Sequence, residues 1–251
     1  MLTKTTARAH WLVILLSLMI AGLTSVSAQP KQVTQQELDT SLDLARSLVN
    51  EKKYPEALKA YLFVFDNSRG VSSYGGVRLS YVPSEIAQMG QIYEPAIAAL
   101  ESRRDEREKL ALAGKADFNI LHELMALNQY LDQPERNITL FDKLKAMGPA
   151  QAEATDDVLL LIWEQLVAVK RYDELKNKVD DLAKLVASQI AESAIQNDFP
   201  SGGVFNSPQF QNYRRKSILE DGGRVYETSL ALGKVETANK LAKWMLTFAT
   251  D

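Results

Sequence analysis

Gly70-Val-Ser-Ser-Tyr-Gly75-Gly76 carries glycines at the spacing of a loop that wraps a phosphate. Such a loop needs a lysine directly after its second glycine and then a Ser or Thr to hold magnesium. Gly76 and Val77 stand in those places, so the stretch reads as a turn-rich connection. His122, in Leu121-His-Glu-Leu124, begins like one half of a zinc-protease pair, but Ala126 occupies the place of the second histidine. It reads as a packed or surface-polar helical histidine. No Gly-x-Ser-x-Gly accompanies it, and the chain has no cysteine to serve as nucleophile or zinc ligand. Glu101-Ser-Arg-Arg-Asp-Glu-Arg-Glu-Lys109 is the densest charge run. Arg104 and Glu108, like Asp105 and Lys109, stand four apart, the pattern of a solvated helix laced with weak pairs. The other reading is a carboxylate-binding patch on Arg103, Arg104 and Arg107. Asp156-Asp157 and Asp180-Asp181 suit a helix N-terminus and a polar face better than paired catalytic acids. Asn137-Ile-Thr139 fits the glycosylation pattern but falls inside a predicted helix. No catalytic, cofactor-binding or metal-binding residue is assigned, and no cofactor is expected.

The segment ahead of these residues speaks about compartment. Lys4 and Arg8 precede the uncharged run Trp11 to Leu23, and Val26-Ser27-Ala28 supplies the small residues that a signal peptidase reads. This predicts a signal peptide over 1–28 and a protein exported to the periplasm or secreted. The apolar run has 13 residues, whereas a bilayer span wants about 20. The longer uncharged stretch from Arg8 to Lys31 keeps an uncleaved anchor as the competing arrangement, and a membrane is a partner only in that case. Without cysteine there is no lipid anchor of the lipoprotein kind. Cleavage leaves 27 basic against 32 acidic residues, a net charge of −5. A mildly acidic chain without a basic stripe is a poor match to nucleic acid.

Helix signals dominate the remainder. Thr34-Gln-Gln-Glu37 is a capping box, followed by Leu38, Leu42, Ala45 and Val49 on one face. Pro55 suits a first helical turn, with Ala57, Leu58, Tyr61 and Phe65 behind it and Asn67-Ser-Arg-Gly70 as the stop. The pattern recurs, predicting helical hairpins near 34–67, 82–112, 117–147, 155–190 and 207–249. Thr155 is the expected cap of the fourth, Ser207-Pro208 opens the fifth, and Gly222-Gly223 mark a tight crossing, a kink or a break. The β-rich piece Gly76–Tyr81 has no partner strand, so the expected class is all-α.

The turn-to-second-helix junctions superpose: KKYPEALKAY (52–61), QIYEPAIAAL (91–100), DQPERNITLF (132–141), KRYDELKNKV (170–179) and GKVETANKLA (233–242). Their starts lie 39, 41, 38 and 63 residues apart, and periods of about 20–50 mark stacked repeats. In these features the chain resembles the tetratricopeptide-repeat family. Gly233 matches the family's turn glycine; Tyr54, Tyr93 and Tyr172 the aromatic after it; Ala57, Ala96 and Ala238 the crossing alanine. Tyr61 and Phe141 match the later aromatic and Pro149 the closing proline, while Asn137 and Leu175 replace the alanine in two copies. The resemblance covers nearly all of residues 29–251 and implies a right-handed solenoid of about five αα-hairpins that binds a protein or peptide. Two stretches interrupt the pattern, 67–82 and 196–210. Irregular loops of that length are often functional. Their Tyr74, Arg78, Tyr81, Phe199, Phe205 and Phe210 are the candidate partner-binding residues. The alternatives are an envelope enzyme using carboxylate or lysine chemistry on a helical scaffold, and a signal-anchored assembly scaffold.

Overall fold

The computed structural model describes residues 33–196 and 207–250. The expected signal segment lies outside these residues, as do Phe199 and Phe205. The described residues contain helices and turns but no strand. In order the helices are α1 (Gln35–Asn50), α2 (Tyr54–Asn67), α3 (Gly75–Leu79), α4 (Tyr81–Gly90), α5 (Pro95–Leu112), α6 (Phe118–Tyr130), α7 (Glu135–Ala146), α8 (Ala152–Ala168), α9 (Val179–Gln196), α10 (Pro208–Ala231) and α11 (Val235–Thr250).

Local chemistry accounts for the starts. Thr34 Oγ1 accepts from the Glu37 N–H at 3.2 Å, and the Glu37 carboxylate accepts from the Thr34 N–H at 2.8 Å. That exchange satisfies two amides that have no partner inside the helix. Asp117 accepts from the Ile120 N–H at 2.8 Å to open α6, and the Ser207 hydroxyl caps α10 ahead of Pro208. Three expectations change. The stretch 67–82 is not a long irregular loop: Ser72–Tyr74 forms a 3₁₀ turn that runs into α3. With no strand to pair with, Gly76–Tyr81 satisfies its backbone helically, the Ser80 N–H donating to the Gly76 carbonyl at 2.9 Å. Thr155 caps nothing. The 3₁₀ turn Gly148–Gln151 leads straight into α8, and the Thr155 hydroxyl donates back to the Gln151 carbonyl at 2.7 Å.

The superposed junctions share a backbone device. At Lys52, Asp132, Lys170 and Gly233, the first residue of four junctions, φ is +60°, +56°, +60° and +70°. Each time this residue's N–H reaches the carbonyl three positions back, and the next N–H reaches the carbonyl five back: Lys53 to Leu48, Gln133 to Asn128, Arg171 to Leu166 and Lys234 to Ser229, at 2.8–2.9 Å. This paired closure ends a helix by occupying carbonyls that the last turn leaves free. Gln91, the fifth equivalent, keeps an ordinary φ of −66°. Five positions on, Ala57, Ala96, Asn137, Leu175 and Ala238 are all buried. Tyr54 and Tyr93 stack with ring centroids 6.0 Å apart.

Packing follows chain order. α1 lies on α2, α4 on α5, α5 on α6, α7 on α8, α9 on α10 and α10 on α11, while α4 touches α6, α6 touches α8 and α8 touches α10. The described helices belong to one compact unit. One cluster joins residues from Ala111 and Leu121 through Ile162, Leu182 and Leu241. The buried apolar residues ahead of Ala111, including Leu38, Val64, Phe65, Ile86 and Leu100, lie outside that cluster.

Candidate functional site

Within α6 the chain buries a carboxylate. Glu123 sits on α6 in register with Ile120 and Leu127, positions that turn inward. It is 2% exposed and receives three guanidinium groups. Arg69, in the connection after α2, grips it with Nε at 3.1 Å and Nη2 at 2.7 Å. Arg78 Nε, from α3, donates at 2.7 Å, and Arg107 Nε, from α5, at 2.9 Å. Burial alone would push this carboxyl up; the hydrogen bonds from Arg78, Arg69 and Arg107 outweigh it and hold the group at about 2. The cations have a second support. The Arg78 guanidinium lies 4.4 Å from the Phe65 ring centre and that of Arg107 5.3 Å, within cation–π range.

The route of the chain brings these groups together. Gly70, at φ +86°, takes the left-handed turn after α2 that a side chain would resist. The 3₁₀ turn and α3 then carry Arg78 back toward Arg69. The insertion is also tied to α1: the Tyr74 hydroxyl donates to Asp39 at 2.6 Å and the Ser73 hydroxyl to Gln35 at 2.8 Å. Burial, and then that bond to Asp39, push the Tyr74 phenol well above its ordinary value. Beside Glu123 lies a recess of about 260 Å³ lined by Ser68, Arg69, Ser72, Arg78, Asn119 and His122. Two of the lining residues carry polar atoms that are closed to solvent and have no hydrogen-bond partner, Ser68 Oγ and Arg78 Nη1.

Of the residues expected to meet a partner, Tyr81 is exposed, whereas Tyr74 and Arg78 are buried and bonded within the chain. Phe210 is partly buried in the first turn of α10. The charge run on α5 behaves differently from its sequence. The pairs Arg104–Glu108 and Asp105–Lys109 do not form. Instead Glu108 accepts from Lys143 at 2.8 Å and from Arg136, both on α7, and Arg103 donates to Asp66 on α2 at 2.9 Å. Arg104 is buried, on Asp105 and Gln133. Arg107 does hold a carboxylate, but it is the chain's own. Glu123, the neighbour of His122, is marked by no chemical motif in the sequence. The available signal was a glutamate on the inward stripe of an amphipathic helix.

Among the described residues, no group of three or more His, Asp or Glu could hold a metal ion, and no helix is long and apolar enough to cross a membrane. The chain matches no family model, no curated protein and no solved structure.

Proposed function

We propose that the chain is an exported, tetratricopeptide-like helical solenoid that acts as a protein- or peptide-binding scaffold. The four recurrent helix closures and the buried crossing positions support the solenoid reading, because each hairpin then buries its apolar face on the next. The observation that carries binding is the recess beside Glu123. It brings Arg69 and Arg78 of the α2–α4 connection together with Asn119, His122 and Glu123 of α6 around one open space. A photo-crosslinking residue at exposed Tyr81, used in the native envelope and read by mass spectrometry, is expected to trap a defined protein. Adducts no different from those of a probe at exposed Lys176 would sink the scaffold reading. Export has its own test: N-terminal sequencing is expected to start at Gln29, and a retained segment 1–28 would favour the anchored scaffold.

A second reading rests on one observation. Glu164 of α8 and Asp221 of α10, two carboxylates from separate hairpins, are both raised by burial first and share Arg224, at 3.0 and 2.8 Å. Carboxylates of raised pKa are what acid–base chemistry uses. If this is an enzyme, E164Q and D221N abolish turnover of whatever substrate the envelope extract supplies, while the Tyr81 adduct is unaffected.

A further inference from the structure

We propose that the recess beside Glu123 binds a carboxylate presented by a ligand, with Arg69 and Arg78 as the receiving cations; this rests on the binding reading given above. Charge sets the class. Arg69, Arg78 and Arg107 face Glu123, and Glu106 lies 3.3 Å from Arg107 Nη1 on its other side. Of these groups Arg69, Arg78 and Glu123 line the recess, two cations against one carboxylate, which leaves one positive charge for a monoanion to cancel. Donor supply points the same way. Glu123 already accepts four N–H bonds, which fills its lone pairs, so further donors need another acceptor. Arg78 is 4% exposed and uses only Nε on Glu123, and its Nη1 and the Ser68 hydroxyl are unmatched. A buried charged donor without an acceptor is costly, and a second planar carboxylate that the Arg78 fork turns to meet removes that cost through bonds of the charge-assisted kind. Arg69, with 43% of its side chain exposed, is the group an incoming ligand meets first.

The test uses the full chain and three probes added separately, acetate, glutarate and inorganic phosphate, with arginine side-chain Nε resonances followed by NMR. Acetate and glutarate are expected to shift Arg69 and Arg78 saturably, in the millimolar range typical of so small a ligand. R69Q, which leaves Glu123 two arginines and is first checked for an intact fold by circular dichroism, is expected to weaken binding at least tenfold. R46Q, which breaks the exposed pair with Glu85, is expected to leave it unchanged. R78K provides a second variant that keeps the charge but loses the planar fork. Absence of any saturable shift, equal binding by R69Q, or a response to phosphate alone overturns the proposal. A short peptide with a free C-terminus, compared with its amide, separates the sources. Binding by the free acid alone supports a peptide carrier, and binding by the small acids alone supports a free organic acid. A Tyr81 adduct without an acetate response sinks the carboxylate site and spares the scaffold. An acetate response without an adduct does the reverse.

Discussion

Glu123 gives up nearly all its water yet stays ionised, because four N–H groups take the place of the solvent it loses. Removing one member of such a cluster is worse than never having built it, since the remaining charges stay buried without partners. The cluster carries a pH signature whose sign follows from its depressed pKa. In the unfolded chain the carboxyl titrates near 4.5, and in the folded protein at about 2. Its stabilisation is therefore complete above about pH 4.5 and is lost as pH falls through about 2. The shift corresponds to about 3 kcal/mol. In urea unfolding over pH 2 to 6, the advantage of the wild-type chain over E123Q is expected to shrink by that order towards pH 2. A constant gap across this range would show that the carboxylate is not held as described. Subtracting E123Q is essential, because Glu108, Asp142 and Glu174 are also lowered by their Lys and Arg partners.

At the scale of the element, the left-handed residues that close four helices make a separate prediction. Lys52, Asp132 and Lys170 carry side chains in a conformation that costs an L-residue roughly 1 kcal/mol and costs glycine little. K52G, D132G and K170G are each expected to raise stability by roughly 0.5–1 kcal/mol by chemical denaturation. Q91G is expected to lower it, since Gln91 sits at a negative φ where glycine adds only chain entropy. Four equal responses would dissolve the distinction between these turns. The paired glycines of α10 are also unlike each other. The helix runs unbroken through both. A Cβ on buried Gly222 would collide with Met245 of α11 and meet Val186 of α9 at 3.5 Å, whereas one on Gly223 meets nothing within 4 Å. G223A is therefore expected to stabilise by about 1 kcal/mol through helix propensity alone. G222A gains the same propensity but must displace Met245, so its melting temperature is expected to fall below that of G223A. Of the tight crossing, kink or break that the sequence allowed, Gly222 makes the crossing.

Across the whole molecule, the arginine cluster ties the connection after α2, α3 and α5 to α6, whose Leu121 and Leu124 belong to the apolar cluster that runs from Ala111 to Leu241. In stacked helical pairs, stability is close to a sum of unit terms and nearest-neighbour terms, so a weakened junction uncouples its two sides. A chain without residues 1–28 reports this directly. Its tryptophans, Trp163 and Trp244, both lie on the Ala111–Leu241 side, whereas far-UV circular dichroism sees every helix. The two signals are expected to coincide in the wild-type chain and to separate in E123Q; coincidence in both would mean that the cluster does not couple the halves. From sequence alone, the helical class, the hairpin turns and the inward faces of most helices could be read. Caps, first-turn prolines and spacings of three and four act within a few residues, so Thr34, Pro55, Asn67 and Ser207 carry their meaning locally. The partners of the charges could not be read in this way. Arg69 reaches Glu123 across 54 residues and Arg107 across 16, and Glu108 turns to α7 rather than along its own helix. Such meetings depend on how one helix is rotated and shifted against the next, which is set by packing summed over many apolar side chains and by no single residue. The sequence thus determined that this chain forms paired helices, while only the tertiary structure decided that a lone inward glutamate would draw three arginines around it and leave a charged recess at their side.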